Sequence, residues 1–215
     1  MKDVSINKLK DFIGKEVQLN GWIYNLRSVG NIWFAIVRDG TGFVQCVITS
    51  NDVSSDVFEL ESSLTQESSV TVKGIVQEDS RSDLGVEILV KDMEVIHIAE
   101  EYPIALKEHG VSFLMDNRHL WLRSKKQYAI MKVRQNVIKS IRDFFDARDF
   151  VLIDSPMFTG NAVEGTTTLF ETEYFNRTAY LTQSGQLYQE AGAMAFGKTY
   201  CFCLLYTSDA ADERN

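Results

Sequence analysis

Three side chains in the first half of the sequence have the chemistry of a reader of single-stranded nucleic acid. Phe34 offers a flat ring on which an unstacked base can lie, a contact worth about 1–3 kcal/mol per base. Arg27 and Gln45 carry hydrogen-bonding groups that can read base edges or phosphate beside it. An aromatic ring in a strand is more often core than platform, so a core role for Phe34 stands beside the binding role. A second feature is a band of charge. Between Arg118 and Arg142 there are eight Lys or Arg and no Asp or Glu, in a chain whose net charge is −8. Residues 1–100 carry 9 basic and 16 acidic side chains, residues 101–150 carry 10 and 6, and residues 151–215 carry 3 and 8. An acidic chain with one basic band can hold a polyanion there and repel it elsewhere. A solvated helix face is the other reading of the same band.

The elements that must position these groups differ between the two halves. Residues 1–100 read as all-β, with runs at Val17–Tyr24, Asn31–Arg38 and Phe43–Ile48. The Asp39-Gly-Thr-Gly turn between the last two is a strong hairpin signal. A short helix is expected within Asp52–Leu64, then strands at Ser69–Val76 and Val86–Ile98 around a polar turn at Glu78–Asp83. Three strands, a helix and two strands is the order of a five-stranded OB barrel, whose strand face binds single-stranded nucleic acid. Residues 101–123 form a mixed connector that opens extended at Tyr102-Pro103. From Ser124, a plausible N-cap, the residues Ile130, Val133, Val137, Ile141, Phe144 and Phe145 recur at helical spacing. That apolar stripe is expected to be core or subunit interface. A strand over Phe150–Asp154 follows, ended by Pro156.

Composition excludes several classes. With 215 residues and 45% hydrophobic content the chain can bury a core. No apolar run approaches a membrane span, and no secretory signal is visible. Cys46, Cys201 and Cys203 have neither metal-ligand nor disulfide spacing, which suits a reducing cytoplasm.

Longer strings carry a family resemblance. Tyr102-Pro-Ile-Ala-Leu-Lys-Glu-His-Gly, Phe113-Leu-Met-Asp-Asn-Arg-His-Leu-Trp-Leu-Arg123, Gly160-Asn-Ala-Val-Glu-Gly-Thr-Thr167 and Leu181-Thr-Gln-Ser-Gly-Gln-Leu-Tyr188 resemble a bacterial asparaginyl-tRNA synthetase. Gly21-Trp22, Arg38-Asp39-Gly40-Thr41-Gly42 and Gln45 resemble that family's anticodon-binding barrel. The likeness covers residues 1–202. It implies an OB barrel at 1–100, a hinge connector at 101–123, and at 124–202 the truncated start of an α+β class II catalytic domain built on an antiparallel sheet. It further implies that Arg27, Phe34 and Gln45 hold a central anticodon uridine, and that the stripe helix belongs to a homodimer interface. The implied reaction joins asparagine and ATP, with Mg²⁺, into asparaginyl-adenylate and then passes the acyl group to tRNA.

Under the same resemblance Glu164 accepts the substrate α-ammonium, a charge-assisted contact, and Ser184, Gln186 and Gln189 line the pocket with neutral groups. Aspartyl relatives carry a lysine where Gln189 stands and usually a proline where Gly185 stands. Burying an aspartate carboxylate without its cation costs several kcal/mol, so the pattern favours asparagine. Two alternatives remain, an aspartyl enzyme and a short, non-enzymatic tRNA-binding OB protein.

The family's second and third motifs, which hold ATP, do not occur in these residues. No residue is expected to be catalytic, none to bind metal, and the chain alone is expected not to form adenylate. From Cys203 the sequence reads Cys-Leu-Leu-Tyr-Thr-Ser-Asp-Ala-Ala-Asp-Glu, which looks like a translated sequencing adapter. Residues 203–215 are therefore expected to be a non-native tail, and the catalytic segment to be an incomplete, aggregation-prone piece of its domain.

Overall fold

The computed structural model describes residues 2–105, 107–160, 170–182 and 184–202. The chain divides into two compact units, Met1–Leu114 and Met115–Asn215.

Unit one is built on alternation. In β2 (Glu16–Val29) as far as Ile23, and throughout β3 (Ile32–Arg38) and β4 (Phe43–Thr49), every second residue is buried. Such a period-2 pattern turns one face inward and leaves the other free. Val17, Leu19, Ile23, Trp33, Ala35, Val37, Val44, Cys46 and Ile48 point into one core, joined by Val70, Val72 and Val76 of β5 (Ser69–Glu78) and Val86, Ile88 and Val90 of β6 (Val86–His97). Strand order is β2-β3-β4-β6-β5, and β5 pairs back to β2 to close the barrel. The β4–β6 pairing is parallel and the other four barrel pairings are antiparallel.

β2 makes the closure possible because it serves two neighbours in turn. Residues Glu16–Trp22 pair with β5, and Trp22–Val29 pair with β3 across a bulge between Ile23 and Asn25. Gly21 sits at the changeover. A Cβ there would fall 2.6 Å from both the Arg38 carbonyl oxygen and Val37 Cγ1, so the strands meet only because no side chain intervenes. Where β3 leaves the edge of β2, the short β1 (Lys2–Asp3) takes it up in parallel.

A 3₁₀ segment, Ile6–Phe12, packs Ile6 and Leu9 into the core. Its anchor is Asp39, whose Oδ2 accepts from the Ile6 N–H at 2.9 Å, while Oδ1 accepts from the N–H groups of Thr41 at 2.6 Å and Gly42 at 3.0 Å. One carboxylate thus shapes the β3–β4 turn and fastens the N-terminal segment, since Asp readily bonds backbone two residues on.

The five barrel strands expected from sequence are present, with β2 continuing five residues beyond the expected end at Tyr24, whereas of the strand expected at Phe150–Asp154 only Val151–Leu152 forms. The helix within 52–64 is short, α1 (Ser55–Glu59) followed by a 3₁₀ turn at Leu60–Ser62. Ser54 caps it, its Oγ accepting from the Val57 N–H at 3.4 Å. The connector carries two short helices that composition does not signal, α2 (Val111–Asp116) and α3 (Arg118–Trp121).

Unit two begins inside α2 and is dominated by α4 (Lys125–Asp146). Ser124 is its N-cap, with Oγ accepting from the Gln127 N–H at 3.3 Å. The helix ends on an aromatic cluster. Phe145 stacks on Tyr200 at 4.7 Å and meets Phe150 edge-on, and the Tyr200 hydroxyl donates to Asp146 at 2.9 Å. β7 (Val151–Leu152) follows, then β8 (Phe158–Thr159), β9 (Glu171–Tyr174), β10 (Arg177–Leu181), α5 (Gln186–Phe196) and β11 (Thr199–Tyr200).

The sheet β8-β10-β9 is antiparallel, as expected. The β7–β11 pair is parallel, because the intervening chain with α5 crosses back before the second strand. Nothing on α4 is buried: Ile130, Val133, Val137 and Phe144 of the stripe are exposed, so they are not core in this chain. No helix among the described residues is long and apolar enough to cross a membrane.

Candidate functional site

The outward face of β2, β3 and β4 brings the predicted trio together. Phe34 lies between the inward residues Trp33 and Ala35, so its ring is turned away from the core and the core role is excluded. Cross-strand register sets Arg27 opposite Phe34 and Phe34 opposite Val47. The guanidinium carbon of Arg27 stands 4.8 Å from the Phe34 ring centroid, a cation–π contact that holds the charge against the platform.

Gln45 lies in the adjoining cross-strand row, opposite Ile36. Its Nε2 donates to Glu87 Oε2 at 3.0 Å, which turns the amide carbonyl away from the carboxylate. Nothing in the sequence marks Glu87 as the partner of Gln45. It is 42 residues from Gln45, and only the parallel β4–β6 pairing brings it there. Burial first, and the Glu87 charge second, push the Cys46 thiol on the other side of β4 well above its ordinary value.

A second network on the barrel was also invisible in the sequence. Arg38 Nε donates to Glu67 Oε1 at 2.9 Å, and its Nη2 pairs with Glu67 Oε2. The same guanidinium lies 4.8 Å from the Trp22 ring. Glu67 has a left-handed backbone, φ 71°, and its N–H donates to the Ile23 carbonyl at 2.6 Å. Burial, and then the Glu67 charge, raise the pKa of Tyr24 nearby. This network fastens the segment before β5 to the bulge in β2.

In unit two, Glu164 lies outside the described residues. Ser184, Gln186 and Gln189 surround the first turn of α5 but do different things. Ser184 Oγ accepts from the Gln186 N–H at 3.1 Å, supplying one of the bonds a helix start lacks. Gln186 is exposed, with Nε2 donating to Glu190 Oε1 at 3.0 Å along the helix surface. Gln189 turns inward. Its Nε2 donates to the Ile153 carbonyl at 2.6 Å, and its Oε1 is buried with no hydrogen-bond partner among the described residues. A buried acceptor left unpaired costs about 1–3 kcal/mol.

Gly185 is equally constrained. A Cβ at that position would fall 2.6 Å from Ser155 Oγ and 3.3 Å from Cys201 Sγ, so the residue before α5 has no room for a side chain. The basic side chains Lys125, Lys126, Lys132, Arg134, Lys139 and Arg142 are all exposed on α4, with Lys139 paired to Asp143. Among the described residues there is no group of three or more His, Cys, Asp or Glu placed to hold a metal ion.

The features to compare are a closed OB barrel with an aromatic-and-arginine face in unit one, and in unit two a capped long helix, an antiparallel sheet and a second helix opened by Ser184. The profile described as OB-fold nucleic acid binding domain matches residues 17–96, and that of tRNA synthetases class II (D, K and N) matches residues 110–214. Residues 110–214 are thus similar to the class II tRNA synthetases of that group, and residues 17–96 to OB-fold nucleic acid binding domains. Within that group the likeness is to asparagine–tRNA ligases.

The asparagine–tRNA ligase of Pelotomaculum thermopropionicum is 50% identical over 214 residues, taking in 100% of this chain and 50% of that protein. The Desulforamulus reducens enzyme gives the same identity and coverage. Asparaginyl-tRNA synthetase from Pyrococcus horikoshii, solved with asparaginyl-adenylate, superposes with a TM-score of 0.85 at 37% identity, over 96% of this chain and 48% of that one. The chain spans about half the length of the curated relatives it matches.

Proposed function

We propose that this chain is the tRNA-reading and amino-acid-selecting half of an asparagine–tRNA ligase. The complete reaction condenses asparagine with ATP to asparaginyl-adenylate and pyrophosphate, then transfers the acyl group to the terminal adenosine of tRNA. The observation that carries the reading is the barrel face, where Arg27 is stacked on Phe34 and Gln45 is fixed beside them by Glu87.

A uracil ring presents an N–H donor between two carbonyl acceptors. Phe34 stacks on it, Arg27 donates to a carbonyl, and Gln45, its amide nitrogen engaged by Glu87, accepts from the ring N–H. That set suits a central anticodon uridine. The basic surface of α4 suits the tRNA backbone. Its exposed apolar stripe suits the twofold contact of a homodimer, since an exposed patch of that kind marks an interaction surface.

Glu164 receives the substrate α-ammonium, and Ser184, Gln186 and Gln189 form the neutral wall of the asparagine pocket. ATP and Mg²⁺ are general to the class. The described residues offer no ligand set for Mg²⁺, and no residue of this half is assigned a catalytic role. The setting is the cytoplasm, where the thiols stay reduced.

The test is ATP–pyrophosphate exchange by a chimera joining residues 1–202 to the remaining, C-terminal part of the Pelotomaculum relative, with asparagine and aspartate compared. Exchange driven by asparagine and not by aspartate is expected. Exchange driven by aspartate would assign the pocket to the aspartyl enzymes, and this chain alone is expected to give none.

A further inference from the structure

We propose that Arg81, in the loop between β5 and β6, holds a backbone phosphate of the RNA strand whose central base lies on Phe34, and that Asp79 fixes its guanidinium for that contact. The inference rests on the anticodon reading of the barrel face and adds a contact that base identity does not govern.

The loop, Asp79 to Gly85, is closed by its own backbone. The Asp79 N–H donates to the Gly85 carbonyl at 3.1 Å, the Ser82 N–H to the Asp79 carbonyl at 3.1 Å, and the Gly85 N–H to the Ser82 carbonyl at 2.8 Å. Within that frame one oxygen, Asp79 Oδ1, accepts from the Arg81 N–H and from Arg81 Nε, each at 3.0 Å. The Asp79 side chain is 9% exposed and the Arg81 side chain 84% exposed. An anchored carboxylate therefore holds an arginine whose head stands in water. A guanidinium has five N–H donors. Nε spends one, and those on Nη1 and Nη2 have no partner among the described residues.

Strand pairing carries this loop to the reader face. Gln45 and Glu87 each stand one residue before the parallel pair Cys46 and Ile88, and they are joined at 3.0 Å. The loop ends at Gly85, two residues before Glu87, and so lies about 7 Å further along at the usual rise per residue. That is the reach of a nucleotide next to the stacked one. The hydrogen bond to Asp79, then the Asp79 charge, and with them the Glu87 charge, raise the Arg81 pKa above its ordinary value. The head is a cation at any working pH.

Residues 1–100 carry 9 basic and 16 acidic side chains, so the barrel repels a polyanion except where a cation is placed. Arg27 already lies against the Phe34 ring. Arg81 presents a free fork that fits two phosphate oxygens, and its fixed head loses little freedom on binding. Glu78 and Asp83 in the same segment oppose the attraction and confine it to that head. Lys10 offsets one of them, since its Nζ stands 3.6 Å from where a Gly85 Cβ would lie.

The experiment is fluorescence anisotropy of a labelled asparagine-tRNA anticodon stem-loop, with central uridine or cytidine, titrated with the full chain over a salt series. Wild type, Arg81→Gln and Arg81→Glu are compared, with circular dichroism to confirm folding. Arg81→Gln is expected to weaken both stem-loops by the same factor, about three- to tenfold, and to lower the slope of log affinity against log salt by about one. The preference for uridine should stay as in wild type, and Arg81→Glu should weaken both stem-loops further. Affinity and slope unchanged in both variants would reduce Asp79 and Arg81 to a loop clip and overturn the inference, while the uridine preference of the wild type upholds the reading of the face. A uridine preference lost in Arg81→Gln would make Arg81 a base reader and also overturn it. A wild type without uridine preference overturns that reading and this inference together. If one variant does not fold, the other decides alone.

Discussion

Trp33 and Phe34 are neighbours in the chain and opposites in role. Trp33 is fully buried at the barrel centre, while Phe34 faces outward beneath the Arg27 guanidinium. Trp33→Ala should cost about 3–5 kcal/mol of barrel stability. Phe34→Ala should cost less than about 1 kcal/mol, and urea unfolding followed by fluorescence separates the two. Alternation in β3 puts the two on opposite faces, but which face is inward was not legible in the sequence, where a core role for Phe34 stood open; the closure of the barrel decides it. The hydrogen-bond partners of Gln45 and Gln189 were not legible. Glu87 and Ile153 lie 42 and 36 residues from Gln45 and Gln189, at positions that only strand pairing and helix packing bring near.

Cys46 reports on the same core. Burial, with Glu87 second, raises its pKa, so the neutral thiol is the folded form. Its stabilising contribution is full below the ordinary value of 9.0 and is lost as pH rises from there toward the folded value. At pH 8 iodoacetamide should leave Cys46 unmodified until the barrel unfolds, while the part-exposed Cys201 reacts in the native state. Peptide mapping by mass spectrometry checks this, and early labelling of Cys46 would mean an open barrel.

At the scale of elements, β2 decides the barrel. Its first half belongs to β5 and its second to β3, and Gly21 allows the strands to cross at the changeover. Gly21→Ala should destabilise the barrel by about 1–3 kcal/mol through forced displacement of Val37 and the Arg38 backbone. A melting temperature equal to wild type would show that the corner has room.

The regular strands announced themselves through period-2 burial and the Asp39 turn. The elements that sequence did not announce are short and governed by their surroundings. β1, β8 and β11 have two residues each, α3 has four, and β9 and β10 are rich in polar and charged residues that carry no alternation. α5 shows apolar residues on several sides and exposes most of them, so no single stripe marks it.

At the scale of the molecule, unit one carries a closed core and unit two carries exposed apolar surface on α4 and α5. Val133 and Val137, one helical turn apart and more than half exposed, sit on the stripe proposed as the twofold contact. Val133→Glu together with Val137→Glu should reduce self-association in sedimentation velocity without unfolding the barrel, because neither residue touches its core. Unchanged association would place the contact elsewhere. The net charge of −8 with a basic α4 gives the same molecule a repulsive background and one attractive surface for a polyanion.

The central claim, that the barrel face reads the middle anticodon base, is tested most directly by fluorescence anisotropy of a labelled asparagine-tRNA anticodon stem-loop titrated with the full chain at fixed salt, with the central uridine intact or replaced by cytidine. The wild type should bind the uridine form about tenfold more tightly or better, and Phe34→Ala should lose about 1–3 kcal/mol of that binding. Equal affinity for the two stem-loops, or binding indifferent to Phe34→Ala, would contradict the account.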